Sequence, residues 1–161
     1  MLKAYGVREI VDIRSIPKSR HNPQFNEDSL KGSLKTERIL YKHLKKLGGL
    51  RHAKKDSVNL GWNNSSFRGF ADYMATQEFS AGLEKLAEIS NKKITAIMCA
   101  EAVPWRCHRS LVADALVKKG WLVRNIMSVK TAERHKLTPF LKIKKGQLVY
   151  PTPNPRKGVR L

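Results

Sequence analysis

Acidic residues are scarce in this chain: 13 Asp and Glu stand against 32 Lys and Arg, a formal charge of +19 over 161 residues. Such an excess draws polyanions and speeds encounter with them, so nucleic acid or a nucleotide is the expected partner. The bland alternative is a surface kept basic for solubility. Cysteine is nearly absent. Two residues, Cys99 and Cys107, cannot build a disulfide framework and are expected as free thiols, metal ligands or redox groups. No apolar run approaches the roughly 20 residues that span a bilayer, which excludes a transmembrane helix and leaves no membrane partner expected. The front also lacks the apolar stretch of a signal peptide, so the expected compartment is the cytoplasm. Apolar content of 41% still suffices for one globular domain with a true core. Composition leaves the oligomeric state open.

Local signals alternate between strand and helix. Met1–Tyr5 with Gly6 reads as the last turn of a helix and its glycine C-cap, a front that looks shortened. Val7–Ile13 reads as an apolar strand. Ser15–Phe25, with two prolines, cannot hold a regular helix. Asn26 is an N-cap for a helix over Glu27–Thr36. Ile39–Tyr41 reads as a second strand, and residues 50–66 as irregular. Two helices follow, with apolar faces at Phe67, Phe70, Ala71 and Met74 and at Phe79, Leu83, Leu86 and Ala87. A third strand spans Lys93–Cys99, and the next helix runs from Pro104 or Trp105 to Lys119. Trp121–Ile126 reads as a fourth strand, Lys136–Tyr150 as a helical turn and an edge strand, and Pro151–Leu161 as a mobile basic tail rich in proline. The expected fold is therefore a single three-layer α/β domain over 1–150 with a mainly parallel, Rossmann-like sheet, and a tail at 151–161.

The densest chemistry lies in Cys99-Ala100-Glu101 and Cys107-His108-Arg109, in a strand-to-helix loop where such folds bind ligands. A helix start and the nearby Arg106 and Arg109 favour a thiolate at Cys107. His108 and Glu101 are then the candidates to move protons. Right-handed crossovers bring Asp12 and Arg14, at the end of the first strand, to the same rim. Arg14, Arg20 and Arg109 are the candidate holders of an anion, and Asp12 joins them as a ligand-binding residue. Buried cysteines that merely pack, and solvated loop arginines, are the plain alternatives. Gly48-Gly49 reads as an anion cradle or a tight turn. Trp62 is either a stacking platform for a base or a cap on the core.

Metal is the competing chemistry. Cys99, Cys107 and His108 form a catalytic zinc set with water in the fourth place. The Cys-Ala-Glu and Pro104-x-x-Cys107-His108 segments are similar to zinc deaminases, which however carry a Cys-x-x-Cys pair after the proline. Adjacent residues on one helix point about 100° apart, which argues against joint ligation by Cys107 and His108. The expectation is therefore a phosphate-bearing ligand at a Cys/His/Glu/Arg site, in a thiol-dependent enzyme without a cofactor. A non-catalytic nucleic-acid-binding module and a zinc-dependent hydrolase or deaminase are the alternatives.

Taken together, Val11-Asp12-Ile13-Arg14, Pro17, Ser19-Arg20, Asn22-Pro23-Gln24-Phe25, Tyr41, Leu44, Leu47-Gly48-Gly49, Phe67-Arg68-Gly69-Phe70-Ala71-Asp72-Tyr73-Met74 and the cysteine segment resemble the DUF488 family over roughly residues 1–135. The resemblance implies a small α/β fold of unassigned function. It also implies a strand ending in Gly-His-Ser ahead of the first helix. That block does not occur in this sequence, so a sheet edge without a partner, or an uncovered core face, is expected.

Overall fold

The computed structural model describes residues 1–153; the basic proline-rich tail expected over 151–161 lies, from residue 154 on, outside the described residues. The strand expected at Val7–Ile13 forms as β1, Glu9–Asp12, with all four residues buried. Burial on both faces marks a central parallel strand. β2 (Leu40–His43) pairs with β1 on one side and β3 (Thr95–Met98) on the other, both in parallel.

Alternation along β1 divides the core between the two sheet faces. Ile10 packs with Val7, Ile39 and the Leu30 and Leu34 of α1 (Glu27–Thr36). Val11 and Ile13 enter the larger cluster. There they meet Phe70 and Ala71 of α2 (Ser65–Tyr73), Phe79, Leu83 and Leu86 of α3 (Gln77–Ser90), and Leu111, Val112 and Ala115 of α4 (Arg109–Lys118). The chain is a mixed α/β fold with a small parallel sheet, and the helical faces read from the sequence are the ones that pack. No helix among the described residues is long and apolar enough to cross a membrane.

The front opens on a 3-10 turn, Leu2–Tyr5, closed by Gly6 at φ 67°, a left-handed conformation that suits glycine. Asn26 stands at the N-cap of α1, yet its Oδ1 accepts from the Ser19 N–H at 2.7 Å and so closes the preceding loop. β3 takes no strand on its outer side among the described residues.

The expected fourth strand needs correction. Only Arg124–Ile126 forms a strand, β4, and it pairs antiparallel with β5 (Ala132–Arg134) instead of joining the parallel sheet. The cause is local: Ser128 Oγ accepts from the N–H groups of Lys130 and Thr131 and folds the chain straight back. The helical turn expected after Lys136 is likewise replaced. β6 (Lys142–Lys144) and β7 (Gln147–Val149) make a hairpin, turned by Lys145 and Gly146 at φ 47° and 79°, the positive-φ pair that matches strand twist.

α4 is buried over Ser110–Leu116, including Asp114 at 0% exposure. Its carboxyl accepts from His135 Nε2 (2.8 Å), the Thr138 N–H (3.1 Å), Thr138 Oγ1 (2.7 Å) and the Tyr150 hydroxyl (3.0 Å). Tyr150 donates its backbone N–H to Asn59 Oδ1, and its carbonyl accepts from Gly61. Asn59 in turn donates to Asp72 of α2, which also accepts from Ser57 Oγ and the Lys54 N–H. Side chains thus order the irregular segment where no ladder does. Trp62 packs on Phe67, Phe140 and Tyr150 at centroid distances of 4.8, 5.0 and 5.7 Å, so it caps the core.

Asp114→Ala leaves four donors facing an apolar gap and is expected to cost about 2–4 kcal/mol. Urea denaturation followed by tryptophan fluorescence measures it; a loss below about 1 kcal/mol means that other contacts hold the C-terminal segment.

Candidate functional site

β1 and β3 are parallel, so their carboxyl ends share one rim, the rim at which open α/β sheets place their sites. Cys99 is the first residue beyond β3, and the carbonyl of Ile13 follows β1. The chain between Cys99 and α4 departs from the expected continuous helix. Pro104–Arg106 is one 3-10 turn, Cys107 is extended at φ −134°, ψ 145°, and His108 is the N-cap of a helix that starts only at Arg109.

That break removes the geometric objection to joint ligation. The 100° divergence holds between neighbours within a helix, and Cys107 is outside it. Cys107 Sγ and Cys99 Sγ lie 3.7 and 3.8 Å from His108 Nδ1, and all three atoms fall within 4.8 Å of one another. His108 Nε2 stands 3.1 Å from the Ile13 carbonyl. A carbonyl only accepts, so Nε2 carries the hydrogen and the Nδ1 lone pair faces the sulfurs.

The ring is held from both sides. Phe70 lies 4.8 Å from it, centroid to centroid. A Cβ on Gly49 would come within 2.7 Å of His108 Cε1, and one on Gly48 within 2.6 Å of Ser15 Oγ. Close approach, rather than an anion cradle, is therefore what requires the two glycines. Ser15 Oγ accepts from the Leu50 N–H and ties this turn to the rim.

Arg109 directs both its backbone N–H and its Nε at Cys107 Sγ, at 3.5 and 3.4 Å. Its Nη2 donates to the carbonyls of Glu101 and Ala102 and fixes the intervening loop. Without metal, the Cys107 thiol is held well below the ordinary thiol range, first by the adjacent Cys99 thiol and then by the Arg109 N–H, against burial. Cys99 is pushed up, by that same contact and by burial.

The other expected residues divide. Arg14 and Asp12 are buried and hydrogen-bonded to each other: Nε and Nη2 of Arg14 donate to both carboxylate oxygens, and the Tyr41 hydroxyl donates to Oδ2. The Asp12 hydrogen bond holds Arg14 above its ordinary pKa. Arg14, expected as an anion holder, and Asp12, expected as a ligand-binding residue, pair with each other beneath the rim. Arg20 is exposed and makes no side-chain hydrogen bond among the described residues, and Glu101 is exposed in the loop, contributing its carbonyl. His43 was not anticipated. It ends β2 and hydrogen-bonds the Arg14 carbonyl at 2.7 Å; its place at a carboxyl end was the available signal.

Residues 1–116 match the sequence model of the domain of unknown function DUF488. The chain belongs to the DUF488 family. All three atoms of the thiol–histidine cluster come from residues within that match, which ends in α4. The DUF488 match leaves residues 117–161 outside it, where twelve Lys and Arg face one acid, Glu133. No curated protein and no solved structure matches the chain.

Two outcomes follow for this DUF488 site. In metal-free protein the ultraviolet absorbance of the Cys107 thiolate persists into acid, because a lowered pKa keeps the charged form as pH falls. The associated stabilisation is complete above the unfolded thiol value of about 8.5 and is lost as pH drops through the folded value. Cys99→Ala moves the absorbance change back toward the ordinary range. Gly49→Ala displaces the imidazole and costs about 1–3 kcal/mol, read by denaturation together with the His108 ring-nitrogen NMR shifts; an unmoved Nδ1 shift means that the glycine has another role.

Proposed function

We propose that this DUF488 protein holds a transition metal ion, zinc before others, on Cys99, Cys107 and His108, and hydrolyses or deaminates a phosphate-bearing substrate, nucleotide or nucleic acid. The observation that carries this reading is the convergence of two sulfurs on a histidine nitrogen whose tautomer is set by the Ile13 carbonyl. An outer hydrogen bond of that kind is the usual partner of a ligating histidine. For tetrahedral zinc the S···N edge is about 3.6 Å, and the two edges here measure 3.7 and 3.8 Å. Mixed thiolate and imidazole donors suit zinc.

Three protein ligands leave a fourth position for water, whose pKa a bound zinc lowers to about 7. Cys99 and His108 are half-buried, so that position opens to solvent on their side. Arg109 donates to Cys107 Sγ and offsets charge on the sulfur, Glu101 on the exposed loop is the group to carry a proton, and Arg20 meets the substrate anion. The basic excess beyond the family match supports a polyanionic substrate: among the described residues none of its lysines or arginines pairs with an acid. The packing of α1 and of α2 to α4 on alternate residues of β1 supports a three-layer, Rossmann-like reading of the sheet. The free thiols fit a reducing cytoplasm.

A second reading keeps the centre metal-free, with Cys107 as nucleophile or redox thiol. The two Arg109 donors aimed at its sulfur favour it. The experiment that separates the two is elemental mass spectrometry on untagged protein purified under reducing conditions without chelator. The expected result is about one zinc per chain, lost in Cys107→Ser and in Cys99→Ser and retained in Glu101→Gln. Metal-free protein whose Cys107 is singly oxidised or alkylated transfers the site to the thiolate reading.

A further inference from the structure

Arg51, in the irregular segment between β2 and α2, carries a charge that no protein group answers. Its Nε is buried and makes no hydrogen bond. Its two Nη groups reach solvent from a half-buried residue and bond no protein atom among the described residues. Asp56, the acid nearest to it in the chain, and Glu78, in the first turn of α3, form no ion pair there either. Asp72 is occupied by the Lys54 N–H, Ser57 and Asn59. A partly desolvated cation without a counter-charge opposes folding, and an anion on its Nη groups would remove that cost.

The side chain is nevertheless fixed. Its Cζ lies 3.7 Å from the centroid of the Tyr73 ring, a cation–π contact. Tyr73 is itself pinned by Phe70 and Phe79, at centroid distances of 6.1 and 6.0 Å, and its hydroxyl donates to the Lys46 carbonyl at 2.7 Å. The backbone is held on both sides of Arg51, where the Leu50 N–H donates to Ser15 Oγ at 3.0 Å and the Lys54 N–H to Asp72 Oδ2 at 2.9 Å. One turn before Tyr73 in α2, a Cβ on Gly69 would come within 2.5 Å of the Arg51 carbonyl oxygen. Gly69 thus lets the segment lie on the helix, and Tyr73 receives the guanidinium.

This cation stands beside the thiol–histidine cluster. Gly49, which packs on the His108 ring, precedes Arg51 by two residues, a span of at most about 7 Å. We propose that Arg51 holds the phosphate group of the substrate, both Nη groups donating to its oxygens as a fork, with the reacting end directed at the cluster. The inference rests on the phosphate-bearing substrate proposed above and not on the metal. It moves the anion-holding role expected of Arg14 to a residue that has no carboxylate partner. Arg20, exposed and without a side-chain hydrogen bond among the described residues, loses side-chain freedom when it meets an anion; Arg51 is ordered beforehand.

NMR of the Arg51 Nε–Hε group tests this in the full chain, titrated with inorganic phosphate and, as control, with sodium chloride at matched ionic strength. A saturable shift of that signal with phosphate alone is expected. Arg51→Lys keeps the charge but loses the fork, and phosphate affinity read from the Gly49 and Leu50 amides falls about tenfold; the wild-type titration decides the question if this variant is unfolded. Saturable phosphate binding that leaves the Arg51 signal unmoved overturns the proposal and keeps an anionic substrate at another residue. The absence of any saturable shift overturns it together with the phosphate-bearing substrate. Neither result bears on the zinc content, which elemental mass spectrometry reads separately.

Discussion

The break in the chain between Arg106 and Arg109 governs what the rim can do. Had the helix begun at Pro104, Cys107 and His108 would project in different directions, and the imidazole would not meet both thiols. An extended Cys107 followed by a helical His108 brings a sulfur and a nitrogen to 3.7 Å, and β3 delivers the second sulfur from its carboxyl end. The Ile13 carbonyl then settles which nitrogen is free. Two thiols and an imidazole meet in a short loop because β1 and β3, which end at this rim, and α4, which begins there, fix its ends.

That arrangement leans on buried polar groups elsewhere. α4 carries His108 and Arg109 at its start, and α4 is held by a carboxyl with no access to water. Asp114 accepts four hydrogen bonds from the segment that covers the helix. Unsatisfied, such a group opposes folding; satisfied, it specifies one packing. Asp12 does the same beneath the rim, where Arg14 and Tyr41 enclose it. Its effect is to place the Ile13 and Arg14 carbonyls where His108 and His43 reach them.

The two ends of the sheet contrast. The carboxyl rim is crowded with side chains that satisfy one another, down to glycines that leave room for a ring. The β3 edge is the reverse, backbone groups and apolar walls without a covering element among the described residues.

By itself the sequence determined the family, the class of fold, the order of elements from β1 to α4, and the segment that holds both thiols and His108. Those features are local: apolar periodicity, caps, and a cluster of rare residue types within eleven positions. Tertiary structure decided the rest. It buried Arg14 against Asp12, two residues away, because Tyr41 of β2 closes over the pair and a loop motif does not show that burial. It sent β4 into a hairpin, because Ser128 closes the turn before any parallel edge is reached. And it brought Cys99, Cys107 and His108 to one point, because a single extended residue reverses what helical spacing alone implies.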